Sequence, residues 1–139
     1  NALNPCIDST YVFYEKVLTE IKKMHVGLTF FHLGGDEVAN GVWLNSTKCR
    51  HLAYSRNFTE PISVHLKKYY VHRVANISHR LGLNLAGWED GFVDEKGIPY
   101  NRMSLPNKEV YTNAWQNIWE WGSAKRAYIL ANNDYKVAN

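Results

Sequence analysis

Two periodicities alternate along this chain, and that alternation constrains its fold more than any other feature. The run DSTYVFYEKVLTEIKKMH from Asp8 reads as a helix, with Asp8 or Ser9 placed to cap it and Val12, Val17, Leu18 and Ile21 on one side. GLTFFHLGGDE, leaving Gly27, reads as a strand, and a variable loop is expected from about Asn40 to Glu60. Pro61 opens a second helix, ISVHLKKYYVHRVANISHRLG, whose apolar stripe is Leu66, Tyr70, Val74, Ile77 and Leu81 and whose stop is Gly82. LNLAGWED and EVYTNAWQN read as short strands on either side of a polar loop holding Pro99 and Pro106. WGSAKRAYILANN reads as a helix and YKVAN as a last strand.

The order is therefore helix, strand, helix, strand, strand, helix, strand. Strands joined through helices pair in parallel. Each of the first three strands ends in residues that can do chemistry: HLGGDE, GWED and NAWQN. In parallel α/β folds the C-terminal strand ends carry the site. Four such strands suit part of a (β/α)8 barrel. A complete barrel takes about 250 residues, so residues 1–139 are expected to form one domain that is a section of a barrel.

Composition narrows the class. With 45% hydrophobic and 21% charged residues the chain is globular. A net charge of +3 without a clustered Lys/Arg stripe argues against nucleic acid as a partner. IKKMH and LKKYY read as solvated helix faces, no apolar run is long enough to span a bilayer, and no signal peptide opens the chain. Five Trp serve equally an ordinary core or a site that stacks on the flat faces of sugar rings. The sequons at Asn45 (NST), Asn57 (NFT) and Asn76 (NIS) weigh toward a secreted or lysosomal, secretory-pathway location. On that route Cys6 and Cys49 are expected to form a disulfide. Asn76 falls off the apolar stripe, so a glycan fits there.

The stretch TFFHLGGDEVANGVW concentrates the chemistry. Alternation puts Thr29, Phe31 and Leu33 on an outer face against helices, and Phe30, His32, Gly34 and Asp36 on the inner one. Gly34 and Gly35 leave room for a ligand or for unusual backbone angles. Strict alternation would turn Glu37 away from Asp36, whereas a twist at the strand end brings both to the mouth. Two close carboxylates disfavour double ionisation, which makes a general acid available. The run GGDE alone also fits a glycine turn leading into a helix with acids in its first turn.

HLGGDE at His32–Glu37 resembles the His-x-Gly-Gly-Asp-Glu signature of family 20 glycoside hydrolases, the β-N-acetylhexosaminidases. LNP at Leu3–Pro5, AGWEDG at Ala86–Gly91 and AWQNIWEWG at Ala114–Gly122 resemble further segments of that family in order, the last two most like its chitobiase branch. The similarity covers essentially the whole chain. It implies a partial catalytic (β/α)8 domain running from the end of barrel strand three through strand seven, with the remaining strands outside these residues. It implies no cofactor and a retaining mechanism in which the substrate's own 2-acetamido oxygen is the nucleophile. By the same resemblance Glu37 is the general acid and then the base, while Asp36 orients the acetamido group and stabilises the oxazolinium intermediate. Trp88 and Trp115 match the tryptophans that wall the acetamido pocket, and His32 is an inward supporting residue. Glu89 and Asp90 rank as weaker site candidates. The implied partners are oligosaccharides ending in β-linked N-acetylhexosamine. The family's substrate-binding Arg near the first strand, and its Tyr and later Trp beyond strand seven, have no counterpart in these residues.

Two rivals stand beside this reading. A metal-dependent barrel enzyme would use His32, Asp36 and Glu37 as ligands, but the motif holds one His and no second acidic cluster has ligand spacing. A non-catalytic carbohydrate-binding module of the same fold would keep the Trp walls, but the intact Asp-Glu pair argues against it.

Overall fold

The computed structural model describes residues 2–39, 41–116 and 118–138. Among the described residues, four α-helices, α1 (Asp8–Met24), α2 (Thr47–Ser55), α3 (Ile62–Arg80) and α4 (Arg126–Ala131), and four strands, β1 (Phe30–His32), β2 (Asn84–Trp88), β3 (Val110–Asn113) and β4 (Lys136–Ala138), follow in the order α1, β1, α2, α3, β2, β3, α4, β4. The strands form one sheet in chain order, every neighbouring pair parallel. Parallel neighbours in sequence order, joined by helical or looped crossovers, make the arc of wall that consecutive strands of a (β/α)8 barrel make.

The register sorts side chains between two faces. Phe31 pairs with Leu85, and Leu85 with Val110, so these three share one face. That face meets Leu18 of α1, Val71, Val74 and Ile77 of α3, and Leu130 of α4 in a continuous core. Complete burial of a Leu or Val side chain contributes about 1.5–3 kcal/mol, and Leu18, Leu85, Val74, Val110 and Leu130 are all at or below 1% exposure. The other face carries Phe30, His32, Trp88 and Tyr111 without helical cover. Phe30 and Tyr111 reach across Ala86, with ring centroids 5.8 Å apart. Phe31 and Leu33 face the helices and Phe30 and His32 the other side, as expected, but Thr29 is exposed while Leu28 packs on the core, and Asp36 lies beyond the strand beside Leu33 and Val71, because strict alternation does not extend past Phe30–His32.

Several local expectations need correction. Neither Asp8 nor Ser9 caps α1: Ile7 holds the cap position, and Asp8 lies in the first turn, where it accepts from Arg73 at 3.1 Å. The buried side of α1 is Tyr11 and Leu18, while Val12 and Val17 are exposed. Tyr11 is favoured inward because its hydroxyl donates to the Pro5 carbonyl at 2.7 Å and Arg73 stacks on its ring at 4.0 Å. The segment expected to be a loop between 40 and 60 contains α2, capped by Ser46, whose hydroxyl accepts from the Cys49 N–H. Pro61 stands at the cap of α3 rather than inside it, and Gly82 at φ 70° ends that helix as expected. The last helix is shorter than its sequence suggests, with a separate 3-10 turn at Trp119–Trp121 before it.

Cys6 and Cys49 form a disulfide that ties the segment before α1 to α2. Beside it, Trp43 packs with Leu66, and its indole N–H donates to the Leu3 carbonyl at 3.0 Å. Asn45, Asn57 and Asn76 are all exposed. No helix among the described residues is long and apolar enough to cross a membrane.

Candidate active site

The site forms where β1, β2 and β3 end. β1 stops at His32, and the chain then turns through Gly34 at φ 75° and Gly35 at φ 93°. Gly35 is needed for closeness as well as conformation. A Cβ there would lie 2.9 Å from Leu33 Cδ1 and 3.1 Å from Gly91 Cα, so the turn after β1 rests directly on the turn after β2. The Gly34 carbonyl accepts from the Trp88 N–H at 3.0 Å and extends the pairing one step past the strand. Glu37 then adopts φ 47°, in the left-handed region that costs a side chain about 1–2 kcal/mol. The kinked backbone leaves Asp36 and Glu37 both exposed at the C-terminal rim of the sheet, the outcome of the expected twist.

Asp90 holds this arrangement. It belongs to the short turn Glu89–Gly91 that follows β2. Its Oδ2 accepts from the Glu37 N–H at 2.7 Å, and its Oδ1 accepts from the Trp115 indole N–H at 3.2 Å. Lys67 of α3 donates from Nζ to the Asp90 carbonyl. Burial lowers the Lys67 ammonium below the usual lysine range, partly offset by Asp90. Next to it Glu89 is only 1% exposed, accepts from the Gln116 N–H at 3.2 Å and lies 3.7 Å from Arg126 Nη1. Burial pushes the Glu89 carboxyl above the usual carboxylate range, against the pull of Arg126 and the Gln116 N–H.

Two cavities, of about 260 and about 430 Å³, share a wall of Glu37, Val38, Ala39, Trp43 and Lys67. Asp36 faces the larger, while Asp90, Trp115 and Arg126 face the smaller. His32 and Trp88 line neither. They pair edge-to-face on the helix-free side of the sheet with ring centroids 5.2 Å apart, and His32 Nδ1 accepts from the Gly34 N–H at 3.2 Å. The structure thus gathers Asp36, Glu37 and Trp115 around the cavities and sets His32 with Trp88 beside them. Among the described residues no three His, Cys, Asp or Glu side chains converge as a metal-binding group.

The geometry brings Glu89 and Asp90, weaker candidates by sequence, to the candidate site together with Lys67, Gln116 and Arg126, which no motif singles out. LKKYY is not wholly a solvated face: Lys68 is exposed, but Lys67 turns into the site. The available signal was GWED itself, where two acids directly follow a strand-end Trp.

The model of the glycosyl hydrolase family 20 catalytic domain matches residues 1–138. The chain is 31% identical over 141 residues to a beta-hexosaminidase of Vibrio vulnificus, covering 99% of this chain and 16% of that protein. It is 40% identical over 111 residues to beta-hexosaminidase B of Pseudoalteromonas piscicida, covering 75% of this chain and 14% of that one. Its backbone matches an exo-β-N-acetylglucosaminidase of Vibrio harveyi, solved in complex with N-acetylglucosamine, with a TM-score of 0.73 and 26% identity over 99% of this chain and 19% of that one. The chain thus spans a small part of the length of the relatives it matches.

Proposed function

Because the chain belongs to glycosyl hydrolase family 20, we propose that residues 1–139 are a section of the catalytic barrel of a β-N-acetylhexosaminidase, whose remaining strands lie elsewhere in the protein. The enzyme removes terminal non-reducing β-linked N-acetylglucosamine or N-acetylgalactosamine from chitooligosaccharides or glycoconjugates. The observation that carries this is the placement of Asp36 and Glu37 side by side at the end of β1, with the Glu37 backbone and the Trp115 ring joined through Asp90.

The chemistry follows from that placement. Glu37 gives its proton to the leaving glycosidic oxygen as the C1–O bond breaks. The carbonyl oxygen of the substrate's 2-acetamido group bonds to C1 from the opposite side and closes an oxazolinium ring. Asp36 accepts from the acetamido N–H and opposes the positive charge that grows there. Trp115 and Trp88 wall the acetamido group and hold its oxygen near C1, while His32 supports Trp88. Glu37, now a carboxylate, takes a proton from the water that attacks C1 and reopens the ring, so configuration is retained. The disulfide and the exposed acceptor residues Asn45, Asn57 and Asn76 support a secretory-route location, outside the cell or in a lysosome.

The test is turnover of a chromogenic N-acetylglucosaminide by the intact protein and by Glu37→Gln. General acid catalysis alone supplies about 10²–10⁴-fold, so the variant should lose at least that much on a poor leaving group. It should recover the first step on a leaving group that needs no proton. Binding without turnover in the unmodified protein would instead indicate a carbohydrate-binding module.

A further inference from the structure

Beyond the acid and its partner carboxylate, we propose that Asp90 is a positioning residue for this reaction, holding the proton donor and the pocket wall in one register. The inference rests on the roles given above to Glu37 and Trp115. One carboxylate meets two segments remote in sequence. Oδ2 accepts from the Glu37 main chain, 53 residues away, and Oδ1 accepts from the Trp115 indole, 25 residues away. Its own carbonyl is held by Lys67 from α3, so the turn carrying it is anchored from behind.

Both partners of the carboxylate are pure donors, a backbone N–H and an indole N–H. Only a group with an acceptor at each end satisfies both. The bond to Glu37 falls at the residue that holds φ 47°, where an unsupported side chain relaxes toward ordinary backbone angles. Such a relaxation would swing the Glu37 carboxyl away from a glycosidic oxygen. The bond to Trp115 fixes the tilt of a ring that is 40% exposed and belongs to neither hydrophobic cluster. Asp90 thereby joins the ends of β1, β2 and β3 at the point where acid and wall must face the same sugar.

Asp90→Asn in the intact protein tests this, because it keeps the shape but sets an NH2 group against one of the two donors. Turnover of di-N-acetylchitobiose should fall about ten- to hundredfold, the scale of a small misplacement of a catalytic group. A dinitrophenyl N-acetylglucosaminide, whose first step needs no proton, should lose less, keeping only the part of the loss that comes through the Trp115 wall. In a Trp115→Phe background the indole N–H is gone, and the amide oxygen can turn to Glu37. There Asp90→Asn should cost less than about threefold more, the mark of coupled residues. A purely structural defect would depress both substrates and both backgrounds alike, and that result, or unchanged turnover of the disaccharide, overturns the proposal. If circular dichroism shows Asp90→Asn unfolded, Asp90→Glu serves. It keeps two acceptors one methylene further out and should show the same leaving-group-selective loss, and unchanged turnover there overturns the proposal. Glu37→Gln run alongside separates the failures: if it stays active the functional reading falls, and if it is inactive while Asp90→Asn is unimpaired, only the role of Asp90 falls.

Discussion

Asp36 and Glu37 are adjacent, yet the backbone gives them separate surroundings. Both line the larger cavity, but only Glu37 also lines the smaller one and has its N–H fixed by Asp90. On the proposed mechanism one serves the nucleophile and the other the leaving group, so their substitutions should leave different signatures. Asp36→Asn keeps the shape and removes the charge that opposes the oxazolinium. Its kcat on N-acetylglucosaminides should drop about a hundredfold or more, as for loss of one preorganised electrostatic partner. No leaving group should rescue it, because its work is at the acetamido nitrogen. A thiazoline mimic of the intermediate should bind it less tightly than the unmodified protein, measured as an inhibition constant. Equal inhibition of the two proteins would remove Asp36 from the acetamido site.

Among the elements, α2 is the one whose attachment is covalent. The Cys6–Cys49 bridge closes a loop across a sequence separation of 43 residues, and Cys49 sits 1% exposed against Trp43 and Leu66. By the chain-entropy account a loop of that length stabilises by about 4 kcal/mol. Paired Cys6→Ser and Cys49→Ser substitutions should therefore lower the denaturant midpoint clearly, and an unshifted midpoint would deny the bridge a part in folding. Trp43 lines both cavities and donates to Leu3 on the other side of the bridge. The same variant should raise KM more than it lowers kcat. Helix α2 escaped the sequence reading because TKCRHLAYS carries only a weak apolar stripe, its clearest local signal being the Ser46 cap. Only Leu18 of the expected α1 stripe is fully buried, for a related reason: Tyr11 and Tyr14 turn inward through partners on α3, which local periodicity does not contain.

At the scale of the whole molecule, the parallel arc, its inner and outer faces and the rim position of the carboxylates were legible. They follow from alternation along β1 and from glycines after it. The network that orients the site was not, because it is nonlocal. Lys67 reads as solvent-facing beside Lys68 until Asp90, 23 residues on, is placed above it. Gly35 reads as a turn residue until Gly91 is packed against it. What the assembled site is proposed to do depends on a nucleophile that the substrate brings, and this can be measured directly. The intact protein is given matched aryl β-glycosides that differ only at C2, acetamido in one and hydroxyl in the other, and kcat/KM is compared. A 2-hydroxyl cannot close the oxazolinium ring, so the N-acetylglucosaminide should be hydrolysed readily and the plain glucoside should be essentially inert. Comparable rates on the two sugars would contradict the substrate-assisted mechanism and the role of Asp36 with it.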